Sequence, residues 1–155
     1  MIAVIQRVNN ATVYADGVLS GSIGRGLYIL LGVEKNDEEA DAIALAEKIS
    51  KLRIFTDDAG KMNLSVNDID GEVLSVSNFT LNANYAHGNR PDYLNSAAPD
   101  IANELYQYFN SQMAARVRAC ETGVFGADMR TEMSTDGPVT IVMDSSVLLR
   151  KDKLR

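Results

Sequence analysis

The chain has 155 residues, with 15 Lys and Arg against 21 Asp and Glu, and a formal net charge of -6. One histidine and one cysteine rule out a multi-His or multi-Cys zinc site, and any disulfide, within a single chain. A 46% hydrophobic and 23% charged composition is that of a one-domain soluble globule, long enough to bury about two-thirds of its unfolded surface.

Residues 1–8 have neither the basic start nor the long apolar stretch of an export signal. The longest apolar run, residues 27–31, is far short of the ~20 residues of a membrane span. A cytoplasmic protein without membrane association is expected. Its acidic balance argues against broad binding to nucleic-acid backbone but leaves room for a local basic patch.

In chain order, residues 2–8 read as a strand buried on both faces, Asn9-Asn10 as a turn, and 11–14 as a short strand. Asp16-Gly17 is a hairpin dipeptide that returns residues 18–23 against it. Gly24-Arg25-Gly26 turns into a strand at 27–33 and is not a phosphate loop, which would lead into a helix. A helix opens at Asp37, the expected N-cap, and runs to Ile49 with Ala40, Ile43, Ala44, Leu45 and Ile49 as its apolar face. Residues 53–55 and 73–76 read as strands, and 82–99 as a polar, turn-rich loop of a length that often carries function. A second helix follows Pro99-Asp100, with Ile101, Leu105, Tyr108, Phe109 and Val117 at helical spacing. Thr122-Gly123-Val124-Phe125, a strand near 129–133, a turn at 135–138 and a last core strand at 139–143 complete the domain. The class is α+β: one domain over residues 1–145, a largely antiparallel, barrel-like sheet with two main helices packed on it. Residues 146–155 form a basic tail, read as a frayed, solvated end or as a contact for RNA phosphate.

Residue types alone do not nominate a catalytic centre. His87 is the one histidine available to a triad and sits in a polar loop, while Cys120 follows the second helix, where a small buried thiol is commoner than a nucleophile. Ser77-Asn78-Phe79-Thr80 closes a strand with backbone N–H groups, two hydroxyls and an amide. Asp136-Gly137-Pro138-Val139-Thr140 lies between two strands. Without further information these are a strand end and a turn.

Together, however, several blocks in one order resemble the D-aminoacyl-tRNA deacylases. They are Ile5-Gln6-Arg7-Val8, Leu30-Leu31-Gly32-Val33, Arg53-Ile54-Phe55 with Gly60-Lys61-Met62-Asn63-Leu64, Ser77 through Leu81, Gly88-Asn89-Arg90-Pro91, Thr122 through Met129, and Asp136 through Thr140. The resemblance implies hydrolysis of the ester joining a D-amino acid to the terminal adenosine of tRNA, by a homodimer with its sites at the subunit interface. It implies no metal or other cofactor. Gly137-Pro138 matches the family's cross-subunit Gly-cis-Pro element, whose carbonyl oxygens take the space an L side chain needs, so that glycyl-tRNA leaks through. Arg7 matches the arginine holding that element. Ser77, Asn78, Phe79 and Thr80 match the catalytic segment, with Phe79 and Thr80 N–H groups facing the ester carbonyl, and Phe125, Gly126, Ala127 and Met129 match the pocket. The family's mechanism relies on the ribose 2′-hydroxyl to activate water. Two positions depart from the pattern: Asn78 stands where glutamine is usual, and Asp92-Tyr93 where a serine-aromatic pair is usual. The first shortens the amide's reach by about 1.3 Å; the second adds a carboxylate that weakens RNA binding unless it faces away.

Overall fold

The computed structural model describes residues 1–152, with side chains through Leu149. The elements are β1 (Ile2–Ala15), β2 (Val18–Ile23), β3 (Gly26–Gly32), α1 (Glu39–Ser50), β4 (Phe55–Thr56), β5 (Met62–Leu64) and β6 (Glu72–Ser77). A 3₁₀ turn (Phe79–Asn82), α2 (Pro99–Ala114), β7 (Cys120–Thr122), β8 (Met129–Asp144) and α3 (Ser145–Asp152) follow.

The hub is β1. It pairs antiparallel with β3 through its first half, from Ile2 opposite Gly32 to Val8 opposite Gly26, and with β2 through residues 11–15. Its other edge carries β8, antiparallel from Ile2 opposite Asp144 to Ala15 opposite Met129. The β3–β6 and β6–β7 pairs are parallel. Parallel neighbours need long crossovers, and α1 and α2 lie in these two. On the far side β7 returns to β2, where the Ser20 hydroxyl donates to the Thr122 carbonyl at 2.9 Å. The result is a nearly closed mixed sheet with helices outside, the barrel-like α+β fold expected, with a parallel flank and a third helix in addition.

This arrangement explains why residues 27–31 are continuously apolar. Leu27, Ile29 and Leu31 join the core against α1 and α2, while Tyr28 joins Val8, Val13, Ile23, Leu74 and Val76 in a second cluster. A strand buried on both faces has no polar side to show.

Four local expectations are corrected. Asn9-Asn10 is not a turn: both side chains are exposed, but β1 runs through them while exchanging β3 for β2. Residues 135–138 are not a turn between two strands either, but an irregularity inside the continuous β8. The N-cap of α1 is Glu38, whose N–H donates to Asp41 at 2.9 Å. Asp37 instead accepts from the Met1 ammonium at 2.6 Å and from the Glu34 N–H at 2.6 Å. Finally, residues 145–152 are helical rather than frayed. The Ser145 hydroxyl accepts from the Met1 ammonium at 2.8 Å and donates to Asp41 at 2.6 Å, which ties the start of α3 to α1. The expected RNA contact of the tail rests on side chains from position 150 onward, which lie outside the described residues. Among the described residues, no helix is long and apolar enough to cross a membrane.

Candidate active site

The strand β6 delivers Ser77 to the open end of the sheet, and the chain then tightens into the 3₁₀ turn. Asn78 caps that turn: its N–H donates to the Leu31 carbonyl at 2.8 Å. Its side-chain oxygen accepts from the Thr80 N–H at 3.3 Å and from the Thr80 hydroxyl. An Asx side chain bonded two residues ahead is the usual way such a turn is fixed. The shorter amide therefore has a local partner here.

Beside the turn lies a cavity of about 530 Å³, walled by Ser77, Asn78 and Phe79 on one side and by Phe125, Gly126, Ala127 and Met129 on another. The third wall is Tyr93, Ser96, Ala97, Pro99 and Ala102. The Phe79 ring is 56% exposed and meets the Tyr93 ring edge-on at 4.9 Å. Phe125 packs 6.1 Å from the Tyr106 ring, whose hydroxyl donates to the Ser75 carbonyl at 2.8 Å. The cavity is thus mainly apolar, with a hydroxyl and an amide at its β6 end.

Seven of the residues singled out from the sequence meet at this cavity: Ser77, Asn78, Phe79, Phe125, Gly126, Ala127 and Met129. Thr80 does not line it, and its hydroxyl is engaged by Asn78. Gly137, Pro138 and Arg7 are elsewhere. Gly137 and Pro138 are exposed, and the bond between them is cis. They occupy the stretch of β8 between Thr135 and Thr140 where the ladder to β1 is interrupted. Buried Arg7 sits behind them. Its Nε donates to the Asp136 carbonyl and pairs with the Asp136 carboxylate, both at 3.1 Å, and its guanidinium donates to the Ile54 carbonyl at 2.7 Å.

Neither Cys120 nor His87 lines the cavity. Burial, with the negative charge of Glu121 adding to it, pushes the Cys120 thiol up to about 12. His87 is exposed in the 85–91 loop, outside the cavity wall. No group of three or more His, Cys, Asp or Glu side chains suited to a metal occurs among the described residues. The Asp92 carboxylate accepts from the Asn84 amide and from the Leu94 N–H, each at 3.1 Å. It is folded into its own loop. Sequence reasoning missed the wall from Tyr93 to Ala102, for which the length and polarity of the 82–99 segment were the available signal.

Comparison with known proteins gives one consistent result. A family model described as D-Tyr-tRNA(Tyr) deacylase matches residues 4–144. A D-aminoacyl-tRNA deacylase of Geotalea daltonii is 54% identical over 94% of this chain and 97% of its own length. That of Geobacter sulfurreducens is 51% identical over 94% and 95%. Among solved structures, a c-Myc DNA unwinding element binding protein superposes with a TM-score of 0.87 at 37% identity, covering 93% of this chain and 98% of that one. A probable eukaryotic D-amino acid tRNA deacylase shares the fold, with a TM-score of 0.79 at 15% identity over 92% and 98%. The resemblance carried by the sequence blocks is borne out: the chain belongs to the D-Tyr-tRNA(Tyr) deacylase family, hydrolases of D-aminoacyl-tRNA.

Proposed function

We propose that the cavity beside Ser77, Asn78 and Phe79 receives the aminoacylated terminal adenosine of tRNA, and that water cleaves the D-aminoacyl ester without a side-chain nucleophile. The observation that carries this is the placement of hydroxyl, thiol and imidazole. Thr80 donates its hydroxyl to Asn78, the Cys120 thiol is held at about 12, and His87 lies outside the cavity. The Phe79 N–H, in the cavity wall, holds the carbonyl oxygen as charge develops on it, and the Thr80 N–H, one residue behind that wall, joins it by giving up its long 3.3 Å bond to Asn78. The terminal ribose 2′-hydroxyl orients the attacking water. Water oxygen bonds to the carbonyl carbon, the bond to the 3′-oxygen breaks, and the 3′-oxygen leaves with a proton, giving free amino acid and tRNA.

Chirality is read by Gly137-Pro138 from a second copy of the chain. Supporting this, the pair is exposed, is anchored from behind by Arg7, and stands apart from the cavity of its own chain. Its carbonyl oxygens fill the space of an L side chain, so selection is by exclusion. A glycyl ester has nothing to exclude and is cleaved. The protein works as a homodimer in the cytoplasm.

The test is deacylation of D-tyrosyl-, L-tyrosyl- and glycyl-tRNA by the purified protein, with a parallel D-tyrosyl substrate ending in 2′-deoxyadenosine. D-tyrosyl and glycyl esters are hydrolysed, the L ester survives, and the deoxy substrate reacts far more slowly. Equal hydrolysis of the D and L esters overturns the exclusion account, and a normal rate on the deoxy substrate overturns the RNA-assisted step.

A further inference from the structure

One surface at the cavity mouth is unused by the chemistry above. Asn84 and Asp92 exchange main-chain hydrogen bonds of 2.8 and 2.9 Å, closing a protrusion of residues 85–91. Its base is well fixed: the Asn84 side chain accepts from the Ala86 N–H at 3.1 Å and donates to Asp92 at 3.1 Å. Its tip turns at Gly88, with φ of +69°. Every residue from 85 to 91 is exposed, and Tyr85, at 81%, has the highest exposure of the large hydrophobic side chains among the described residues.

An exposed aromatic ring on a fixed base is poised for a partner. The residues around it define which one. On a chain with net charge -6, the segment Tyr85-Ala86-His87-Gly88-Asn89-Arg90-Pro91 holds no carboxylate. Arg90 makes no ion pair among the described residues. The nearest acid, Asp92, is turned into the loop. Tyr93, the next residue, is already cavity wall and touches Phe79. Residues 86–90 bend between the two ends of the Asn84–Asp92 bridge, so the protrusion stands beside the Tyr93 wall.

We infer that the 85–91 protrusion docks the unpaired RNA strand leading to the aminoacylated adenosine, with Tyr85 stacked on a base and Arg90 on a phosphate. The inference rests on the deacylase reading, since an ester held in the cavity obliges the preceding nucleotides to leave past its mouth. Aromatic rings interleaved with cations are how proteins hold single strands irrespective of sequence, because every base offers a stacking face. A net charge of -6 disfavours broad phosphate contact and favours a carboxylate-free segment such as this one.

The experiment compares two substrates, D-tyrosyl-tRNA and 3′-O-D-tyrosyl-adenosine, which lacks the preceding nucleotides. Tyr85→Ala raises KM for the tRNA substrate about tenfold, leaves its kcat within twofold, and leaves the adenosine substrate unaffected, while Tyr85→Phe behaves as wild type. Arg90→Ala also raises KM for tRNA alone, and lowers the slope of log KM against log salt by about 0.7. Binding of a labelled RNA hairpin with an unpaired 3′ overhang weakens about tenfold in Tyr85→Ala, a readout that needs no turnover. The inference is overturned if both substrates lose rate equally, which places the loop in the catalytic cavity. It is also overturned if sedimentation shows Tyr85→Ala to be dissociated, which places it in a subunit contact, or if KM and RNA binding stay within twofold. Failure of the wild-type protein to cleave either substrate strikes instead at the deacylase reading.

Discussion

Arg7 shows how much one buried cation organises. It ties the irregular stretch of β8 to the segment before β4, through the Asp136 carbonyl and carboxylate and the Ile54 carbonyl. Hydrogen bonds to a charged group are each worth about 1.5–3 kcal/mol, and Asp136 is partly solvated, which reduces its share. Arg7→Ala therefore costs about 2–3 kcal/mol, or about 5–10 °C in Tm by calorimetry. A purely structural role would stop there. A role in positioning Gly137-Pro138 also raises hydrolysis of L-tyrosyl-tRNA relative to D-tyrosyl-tRNA, a ratio that loss of stability alone does not move. Cys120 is the contrasting case. With its thiol at about 12 rather than 9.0, its thiolate fraction at pH 8 is about a thousandfold below that of an unperturbed thiol. Iodoacetamide at pH 8 alkylates the native protein that much more slowly than a free thiol. Cys120→Ser retains deacylation, and the rate profile from pH 6 to 9 shows no thiol limb. Rapid alkylation accompanied by loss of activity would return Cys120 to the list of candidate nucleophiles.

Among the elements, the β3–β6 pair sets the position of the candidate site segment, because β6 runs directly into Ser77 and the turn beyond. That pair begins at Gly26 opposite Glu72, where an added Cβ would stand 1.8 Å from the Glu72 carbonyl oxygen. Backbone cannot yield as a side-chain tip can. Gly26→Ala thus prises β6 from β3, with a cost of about 3 kcal/mol or more. It appears as a fall of about 6–12 °C in Tm, or as loss of soluble protein. Unchanged melting would mean that the strands separate at no cost. The Gly24-Arg25-Gly26 turn was visible in the sequence, but the close approach was not, since it depends on a strand over forty residues away. The same division runs through the molecule. Apolar runs, hairpin dipeptides and helix spacing made β2, β3, α1 and α2 legible. The passage of β1 through Asn9-Asn10 was not, because turn-prone side chains are tolerated where a strand changes partner and both point to solvent. β8 was hidden for a related reason: Thr135-Asp136-Gly137-Pro138 has turn chemistry, yet pairing on both sides keeps one strand continuous. α3 was hidden because its anchors, Met1 and Asp41, lie at the other end of the chain. Residues 77–79 and the 125–129 wall of the cavity were singled out through resemblance, whereas the wall from Tyr93 to Ala102 is assembled only by tertiary packing.

Within the whole molecule the unresolved tension is between the cavity and Gly137-Pro138, which one chain keeps apart. The long strand β8 offers a way to join them. Among the described residues it pairs only with β1, which leaves its other edge open there, and its faces leave Met133 39% and Val142 69% exposed. Open edges of this length are ordinarily covered or blunted. In the homodimer proposed above, a second copy covering this edge brings its own Gly137-Pro138 to the first copy's cavity. Mixing two defective chains tests that directly. Phe79→Ala impairs the cavity and leaves the Gly-Pro element intact; Arg7→Ala loosens the element and leaves the cavity intact. Alone, the first keeps its N–H but loses the ring that walls the cavity against Tyr93 and cleaves tyrosyl esters far more slowly, whereas the second hydrolyses both D- and L-tyrosyl-tRNA. When the two are refolded together with Phe79→Ala in excess, each intact cavity faces an intact Gly-Pro element from its partner. Hydrolysis of L-tyrosyl-tRNA then falls while that of D-tyrosyl-tRNA persists. If filtering occurred within one chain, the added Phe79→Ala chains would supply nothing that the intact cavity lacks, and the L-ester rate would not change. A rate independent of mixing therefore defeats the shared site, even for a protein that sediments as a dimer.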